Sequence, residues 1–311
     1  MIKRTLHFGN PAYLSLENGQ LIIKLPEVFK NDTLPEQFKQ QNIIKIPVED
    51  IGVIMLDHSQ ITITQPLLGA LLDNNCAVVT CGNNHMPNGL LLPLEGHNTQ
   101  QERYDFQLEA SQPLKKQLWQ QTVQAKVMNQ GLLLEKNGFE ANNFKIWSRD
   151  IKSGDSDNLE ARAAARYWSM IFSKKIENFR RGREGDPPNN LLNYGYAILR
   201  AVVARSIVAA GLIPTLGIFH RNRYNAFCLA DDIMEPYRPY VDEIVLEIIG
   251  SGVNCNELTK ELKQKLLIIP TLDVVINGER SPLMIATQRT AYSLFTCYEG
   301  KSRKILYPEF C

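Results

Sequence analysis

Of the motifs that announce common chemistries, this sequence has almost none. It contains no GxSxG elbow, no Walker A loop and no GxGxxG fingerprint, which sets aside α/β-hydrolase, P-loop and dinucleotide-binding chemistry. Charge of one sign is lacking too: Lys plus Arg total 34 against 33 for Asp plus Glu, a net charge of +1. Any grip on a polyanion must therefore come from local patches. Cysteine is scarce, with Cys76, Cys81, Cys228, Cys255, Cys297 and Cys311 making up all 6, and no two stand in a CxxC pair. They read as reduced thiols. Cys76, Cys81 and His85 come nearest to a zinc pattern, but a fourth ligand is missing and residues 76–81 read as a buried strand. The most apolar stretch, residues 197–219, is broken by Arg200, Arg205 and Pro214, short of the roughly 20 clean residues that span a bilayer. It predicts a core helix. The opening MIKRTLHFGN has no apolar h-region, so a cytoplasmic protein without a membrane partner is expected.

What is present is the composition of a folded chain, 44% hydrophobic and 22% charged over 311 residues, with length for about two domains. Residues 13–25 alternate around Glu17-Asn18-Gly19, a hairpin signature. Ile- and Val-rich runs over 44–63, a short helix over 65–75 and a strand over 76–81 complete a small β domain. After the turn-rich residues 85–89 the period changes. Tyr104, Leu108, Leu114, Leu118, Val123, Val127 and Leu132 recur at helical spacing, and helices are expected to about residue 300. The fold class is thus α+β: a small, sandwich-like β domain over 1–94, then a larger, all-helical domain over 95–311.

Chemistry concentrates in IFHRNRYNAFCLADDIMEPYRP, residues 218–239. A carboxylate buried alone takes up a proton rather than stay charged, so His220, Asp231, Asp232 and Glu235 form either solvated surface or a cation site. Asp232 and Glu235, three apart, project the same way on a helical turn. Pro236 and Pro239 put them at or beside a helix start. A metal site needs a further carboxylate and basic residues to hold an anionic substrate. Glu160, in an alanine-rich helix, supplies the first, although Asp157 three residues before it is also the spacing of a capping box. Arg221, Arg223 and Arg238 supply the second. Imidazole with carboxylates and no thiolate suits Mg²⁺ or Mn²⁺ acting on phosphate oxygens. The leading reading from the residues is a metal-dependent phosphodiester reaction. Lys174, Lys175, Arg180, Arg181 and Arg183 are a candidate phosphate track, and Tyr194 either packs its helix or hydrogen-bonds a DNA backbone.

Taken together, His85-Met-Pro-Asn-Gly-Leu-Leu-Leu-Pro-Leu, Leu159-Glu-Ala-Arg-Ala-Ala-Ala-Arg-Tyr-Trp, Leu192-Asn-Tyr-Gly-Tyr-Ala-Ile-Leu, Leu216-Gly-Ile-Phe-His and Ala230-Asp-Asp-Ile-Met-Glu-Pro-Tyr-Arg-Pro make the chain resemble the CRISPR-associated spacer-acquisition integrases. These are the metal-dependent endonuclease subunits of the adaptation complex, and the likeness is greatest to type II members. The resemblance implies that Glu160, His220 and Glu235 are metal ligands, and that Asp232 is a further acid near the metal, with Asp231 beside it as the other candidate. It implies that Arg223 faces the scissile phosphate. It also implies a β domain that forms a homodimer, a helical catalytic domain, a small ferredoxin-like partner subunit bridging dimers, and DNA as substrate. In the reaction, the 3′ hydroxyl of a captured fragment attacks a phosphodiester at the CRISPR repeat. A metal phosphohydrolase of small molecules and a non-catalytic DNA-binding scaffold are the alternatives. On this reading Glu235→Ala abolishes strand transfer and leaves the melting temperature unchanged.

Overall fold

A computed structural model describes residues 3–310 and divides the chain into two compact units, one up to Leu94 and one from Glu95. Cys311 lies outside the described residues; the other five cysteines are free thiols.

The first unit holds two four-stranded sheets. One is built from β1 (Arg4–Phe8), β5 (Ile51–Leu56), β7 (Ala77–Cys81) and β8 (Pro87–Leu91) in the order β1-β5-β7-β8, parallel except for β8. Its central strand Ile-Gly-Val-Ile-Met-Leu is apolar at every position and nearly all buried, as a parallel strand covered on both faces must be. The other sheet contains β2 (Ala12–Glu17), β3 (Gln20–Lys24), β4 (Ile44–Pro47) and β6 (Ile61–Ile63) in the order β4-β3-β2-β6. The β2–β3 hairpin closes on Asn18 and Gly19, both at positive φ, the backbone that a tight two-residue turn requires. Helices α1 (Pro26–Phe29), α2 (Glu36–Gln41) and α3 (Gln65–Asp73) connect the strands. Leu67 and Leu71 of α3 enter one apolar cluster with Leu14, Leu21, Ile23 and Ile46 from one sheet and Ile51, Ile54 and Val78 from the other.

The second unit is mostly helical: α4 (Gln100–Glu109), α5 (Gln112–Lys136), α6 (Asn142–Asp150), α7 (Leu159–Met170), α8 (Asn189–Ala209), α9 (Cys228–Met234), α10 (Arg238–Gly250), α11 (Lys260–Leu266) and α12 (Leu283–Tyr298). It is not all-helical as expected. Strands β9 (Asp273–Ile276), β10 (Glu279–Pro282) and β11 (Pro308–Glu309) form a sheet in the order β10-β9-β11. Asn277 and Gly278, both at positive φ, turn β9 into β10, and the β-branched Val274, Val275 and Ile276 favour the strand that precedes them.

The core helix expected over 197–219 is α8, displaced toward the N-terminus. It stops at Ala209 because Gly211 takes positive φ and Pro214 follows. By length and composition α8 could cross a membrane, yet 83% of its apolar window is buried inside the protein. It is the central helix of this unit, with α9, α10 and α12 packed on it. The long α5 starts at Ser111, whose hydroxyl accepts the Leu114 N–H, and it packs against α6, α7, α10 and the turn that carries Glu235.

Candidate metal and phosphodiester site

Five segments of the second unit supply the site: α5, α7, α9, the loop between α8 and α9, and the short turn between α9 and α10. Glu160 stands in the first turn of α7, but the capping box expected at Asp157 does not form. Asp155 accepts the N–H groups of both Leu159 (2.9 Å) and Glu160 (3.0 Å), satisfying donors that a helix start leaves free. Asp157 instead pairs with Lys152. The sequence spacing was misleading because the loop at Asp155 and Asn158 adopts positive φ, which brings the earlier aspartate over the helix end.

Glu235 opens a short 3₁₀ turn, Glu235–Tyr237, wedged between α9 and α10 and stopped from continuing α9 by Pro236. The residue is only 5% exposed. Asn129 of α5 fixes this turn by donating to the Pro236 and Pro308 carbonyls at 2.8 and 2.9 Å, so the C-terminal strand β11 is tied to the same point.

His220 stands in the middle of the loop between α8 and α9. Asp232, fully buried in α9, hydrogen-bonds His220 Nδ1 and accepts the Phe219 N–H at 2.9 Å. The loop can close this tightly because residue 217 is glycine: a Cβ there would lie 2.8 Å from Asp232 Oδ2 and 2.4 Å from the His220 carbonyl oxygen. Trp119 of α5 is buried, stacks on Phe219 with ring centroids 4.6 Å apart, and meets the His220 ring edge-on at 5.3 Å. The imidazole is thus fixed by a carboxylate on one nitrogen and by aromatic packing, an arrangement that orients a ligating histidine. Asp231 faces elsewhere, bonded to Arg200 (2.6 Å) and Asn225 (2.7 Å).

The residue that links these pieces went unnoticed in the sequence. Lys126 of α5 is buried, and its Nζ lies 2.7 Å from Glu160 Oε1 and 2.7 Å from Glu235 Oε2. Glu235 Oε1 pairs with Arg238 at 2.9 Å. Burial alone would lower the Lys126 ammonium, but Glu235 and Glu160 outweigh it and raise it above the ordinary lysine range. Burial likewise pushes the Glu235 carboxyl up, and Arg238 and Lys126 overcome that to hold it low and ionised. The hydrogen bond to Asp232 raises His220 against its partial burial, and the fields of Glu235 and Glu160 add to it. The signal that could have found Lys126 is positional: it shares the buried stripe of α5 with Trp119, Thr122, Val123 and Gln130, where a lysine needs an anion.

Among the described residues, no three His, Cys, Asp or Glu side chains already surround a point where an ion could sit. Two carboxylates nevertheless converge on one cationic nitrogen, with an oriented imidazole in their field, and all the donors are oxygen or nitrogen. That donor set fits Mg²⁺ or Mn²⁺.

The remaining candidates separate into committed and free groups. Tyr194 is fully buried in α8, which corrects its expected reach toward a DNA backbone: its ring fills the core. Arg238 is held by Glu235 and lies over Tyr196, 4.8 Å from the ring centroid. Lys174 donates to the carbonyls of Asn137 and Gly138 at the end of α5. Arg181 donates to Asn189 and Asn193 and lies over Tyr196. Lys175, Arg180, Arg183, Arg221 and Arg223 are exposed. Arg221 reaches Gln112, and Arg223 lies over the ring of the exposed Tyr224.

The family profile described as "CRISPR associated protein Cas1" matches residues 8–268. A "CRISPR-associated endonuclease Cas1" from Neisseria meningitidis serogroup C (strain 8013) is 38% identical over 284 residues, covering 90% of this chain and 86% of that protein. Among solved structures, a "Casposase bound to integration product" superposes with a TM-score of 0.75 at 22% identity, covering 98% of this chain and 92% of that one. A CAS1 protein from Thermotoga maritima gives 0.74 at 17% identity, covering 96% and 97%. At these identities the two structures speak for the fold.

Proposed function

Since this chain belongs to the CRISPR-associated Cas1 family and is an endonuclease and integrase of CRISPR adaptation, we propose that Glu160, His220 and Glu235 hold its divalent ion, Mg²⁺ or Mn²⁺. The observation that carries this reading is the approach of Glu160 and Glu235 to a single ammonium, each at 2.7 Å. When bound, the ion polarises the scissile phosphodiester and stabilises the charge that builds in an in-line displacement.

The protein's own contribution is positional and electrostatic. Asp232 keeps His220 Nδ1 engaged, so Nε2 is the nitrogen free to ligate. Trp119 and Phe219 meet the imidazole edge-on and hold its orientation, while about half of the side chain faces solvent, where a substrate phosphate and an ion can reach it. Arg223, on the exposed loop beyond His220, contacts the scissile phosphate as its 3′-oxygen leaves. Lys175, Arg180, Arg183 and Arg221 neutralise backbone phosphates of the fragment and the repeat. Such contacts are salt-sensitive and carry no sequence information. The attacking group is the 3′ hydroxyl of a captured DNA fragment, so no protein nucleophile is required.

The strand-rich first unit, with its two sheets packed as a sandwich, provides the homodimer interface in this reading, and the second unit carries catalysis. A small ferredoxin-like subunit, Cas2 in this family, bridges two dimers. The substrates, a captured foreign DNA fragment and the CRISPR repeat, meet inside the cell, which places the protein in the cytoplasm.

The test is joining of a short duplex to a supercoiled plasmid carrying a repeat, with Mg²⁺ or Mn²⁺ and with a chelator. Joining by the wild type and its loss in Glu160→Gln, His220→Ala and Glu235→Gln are expected. Undiminished joining by Glu235→Gln overturns the ligand assignment.

A further inference from the structure

We propose that Lys126 is a resident stand-in for the divalent ion: its ammonium bridges Glu160 and Glu235 when no metal is bound, and metal entry displaces it. The inference rests on the reading of Glu160 and Glu235 as ligands and concerns a residue outside that set.

Three observations carry it. The Nζ lies 2.7 Å from one oxygen of each glutamate, in the space that an ion ligated by both would share. Lys126 is buried, as is Glu235, so the pair is poorly screened and an uncompensated charge there would be costly. The two glutamates come from α7 and from the turn after α9, and α5, which carries Lys126, packs against both. The lysine therefore keeps two carboxylates from separate segments aimed at one point without an ion.

A lysine suits this role because its charge is compact and its four-carbon stem has rotatable bonds. It can leave the carboxylates without moving the helix. Metal binding is then an exchange of cations, and the ion must compete with a tethered charge. Like charges at contact distance in a poorly solvated site repel strongly, so the lysine sets a lower limit on the metal concentration that loads the site.

The experiment measures binding without turnover. Mn²⁺ is titrated into the chelator-treated full-length protein by calorimetry and by electron paramagnetic resonance of the free ion, for the wild type, Lys126→Met and Lys126→Arg. Lys126→Met is expected to bind Mn²⁺ about tenfold or more tightly than the wild type, and to gain more melting temperature from saturating Mn²⁺ because its metal-free form has lost the bridge. Lys126→Arg keeps the charge and is expected to show no gain in affinity. Unchanged or weaker Mn²⁺ binding by Lys126→Met overturns the proposal. Should Lys126→Met fail to fold, amine acetylation of the wild type followed by mass spectrometry serves in its place. Mn²⁺ is expected to raise labelling of Lys126, and unchanged labelling at saturation overturns the displacement. Glu235→Gln, titrated in parallel, separates the two readings: wild-type Mn²⁺ affinity in that variant removes Glu235 as a ligand whatever Lys126 does.

Discussion

Replacing Glu235 by alanine has an outcome that the tertiary structure changes. From the sequence, the carboxylate stands at a helix start beside prolines, and its loss is expected to stop strand transfer without touching stability. In the folded protein its oxygens lie 2.7 Å from Lys126 and 2.9 Å from Arg238, and the residue is 5% exposed. Removing one partner of a buried ion pair costs about 3–5 kcal/mol, because the remaining charge is left uncompensated. Lys126 retains Glu160, and the Arg238 side chain is 29% exposed, so the low end, about 3 kcal/mol, applies. In a unit of this size, about 3 kcal/mol lowers the melting temperature by about 6–12 °C. Urea unfolding and thermal melting followed by circular dichroism, in chelator, measure both. Glu235→Gln keeps the volume and an acceptor for Arg238 and is expected to lose about half as much. Combining Glu235→Ala with Lys126→Met removes the stranded cation as well, so the double variant should be more stable than the sum of the singles by about 1 kcal/mol or more. Wild-type melting by Glu235→Ala, or strict additivity in the double variant, would refute the electrostatic reasoning.

Other substitutions test separate parts of the site. Asp232→Asn weakens the hold on His220, so Mn²⁺ affinity is expected to fall about 10–100-fold and joining to recover partly at high Mn²⁺; an unchanged metal dependence contradicts the orienting role. Asp242 is buried, takes hydrogen bonds from Tyr167 and Tyr196, and is raised by burial from 3.8 to about 6. The folded chain therefore holds a proton that the unfolded chain releases between about pH 4 and pH 6. The associated stability is complete below pH 4 and is lost as pH rises through 6, a change of about 3 kcal/mol. The stability of the wild type relative to Asp242→Asn should fall across that window in urea titrations, and a flat difference would be the contrary result. Arg181→Ala removes bonds to Asn189 and Asn193 and is expected to cost about 1–3 kcal/mol of stability with the salt dependence of DNA binding intact. Arg183→Ala, at an exposed position, is expected to leave stability unchanged and reduce the salt slope by about 1. The reverse pattern in filter binding and melting would exchange their roles.

The sequence alone determined the locally encoded features. The change from strand to helix near residue 94 is written in the switch of apolar period, and the Asn18-Gly19 hairpin in residues that tolerate positive φ. The β9–β10 hairpin was equally legible in Val274-Val275-Ile276-Asn277-Gly278 and was hidden only by the helical pattern around it. His220, Asp232 and Glu235 stood out because charged groups are costly between apolar segments. Only the tertiary structure decided which charges meet. Lys126 reads as one more lysine on a long helix until α5 packs against α7 and the Glu235 turn, because an ion pair between distant segments leaves no periodic trace in either. Tertiary contacts likewise turned Tyr194 into the core around α8, Arg181 onto Asn189 and Asn193, and Arg238 onto Glu235, since an arginine or tyrosine exposes or buries its polar end according to partners that the local sequence does not specify.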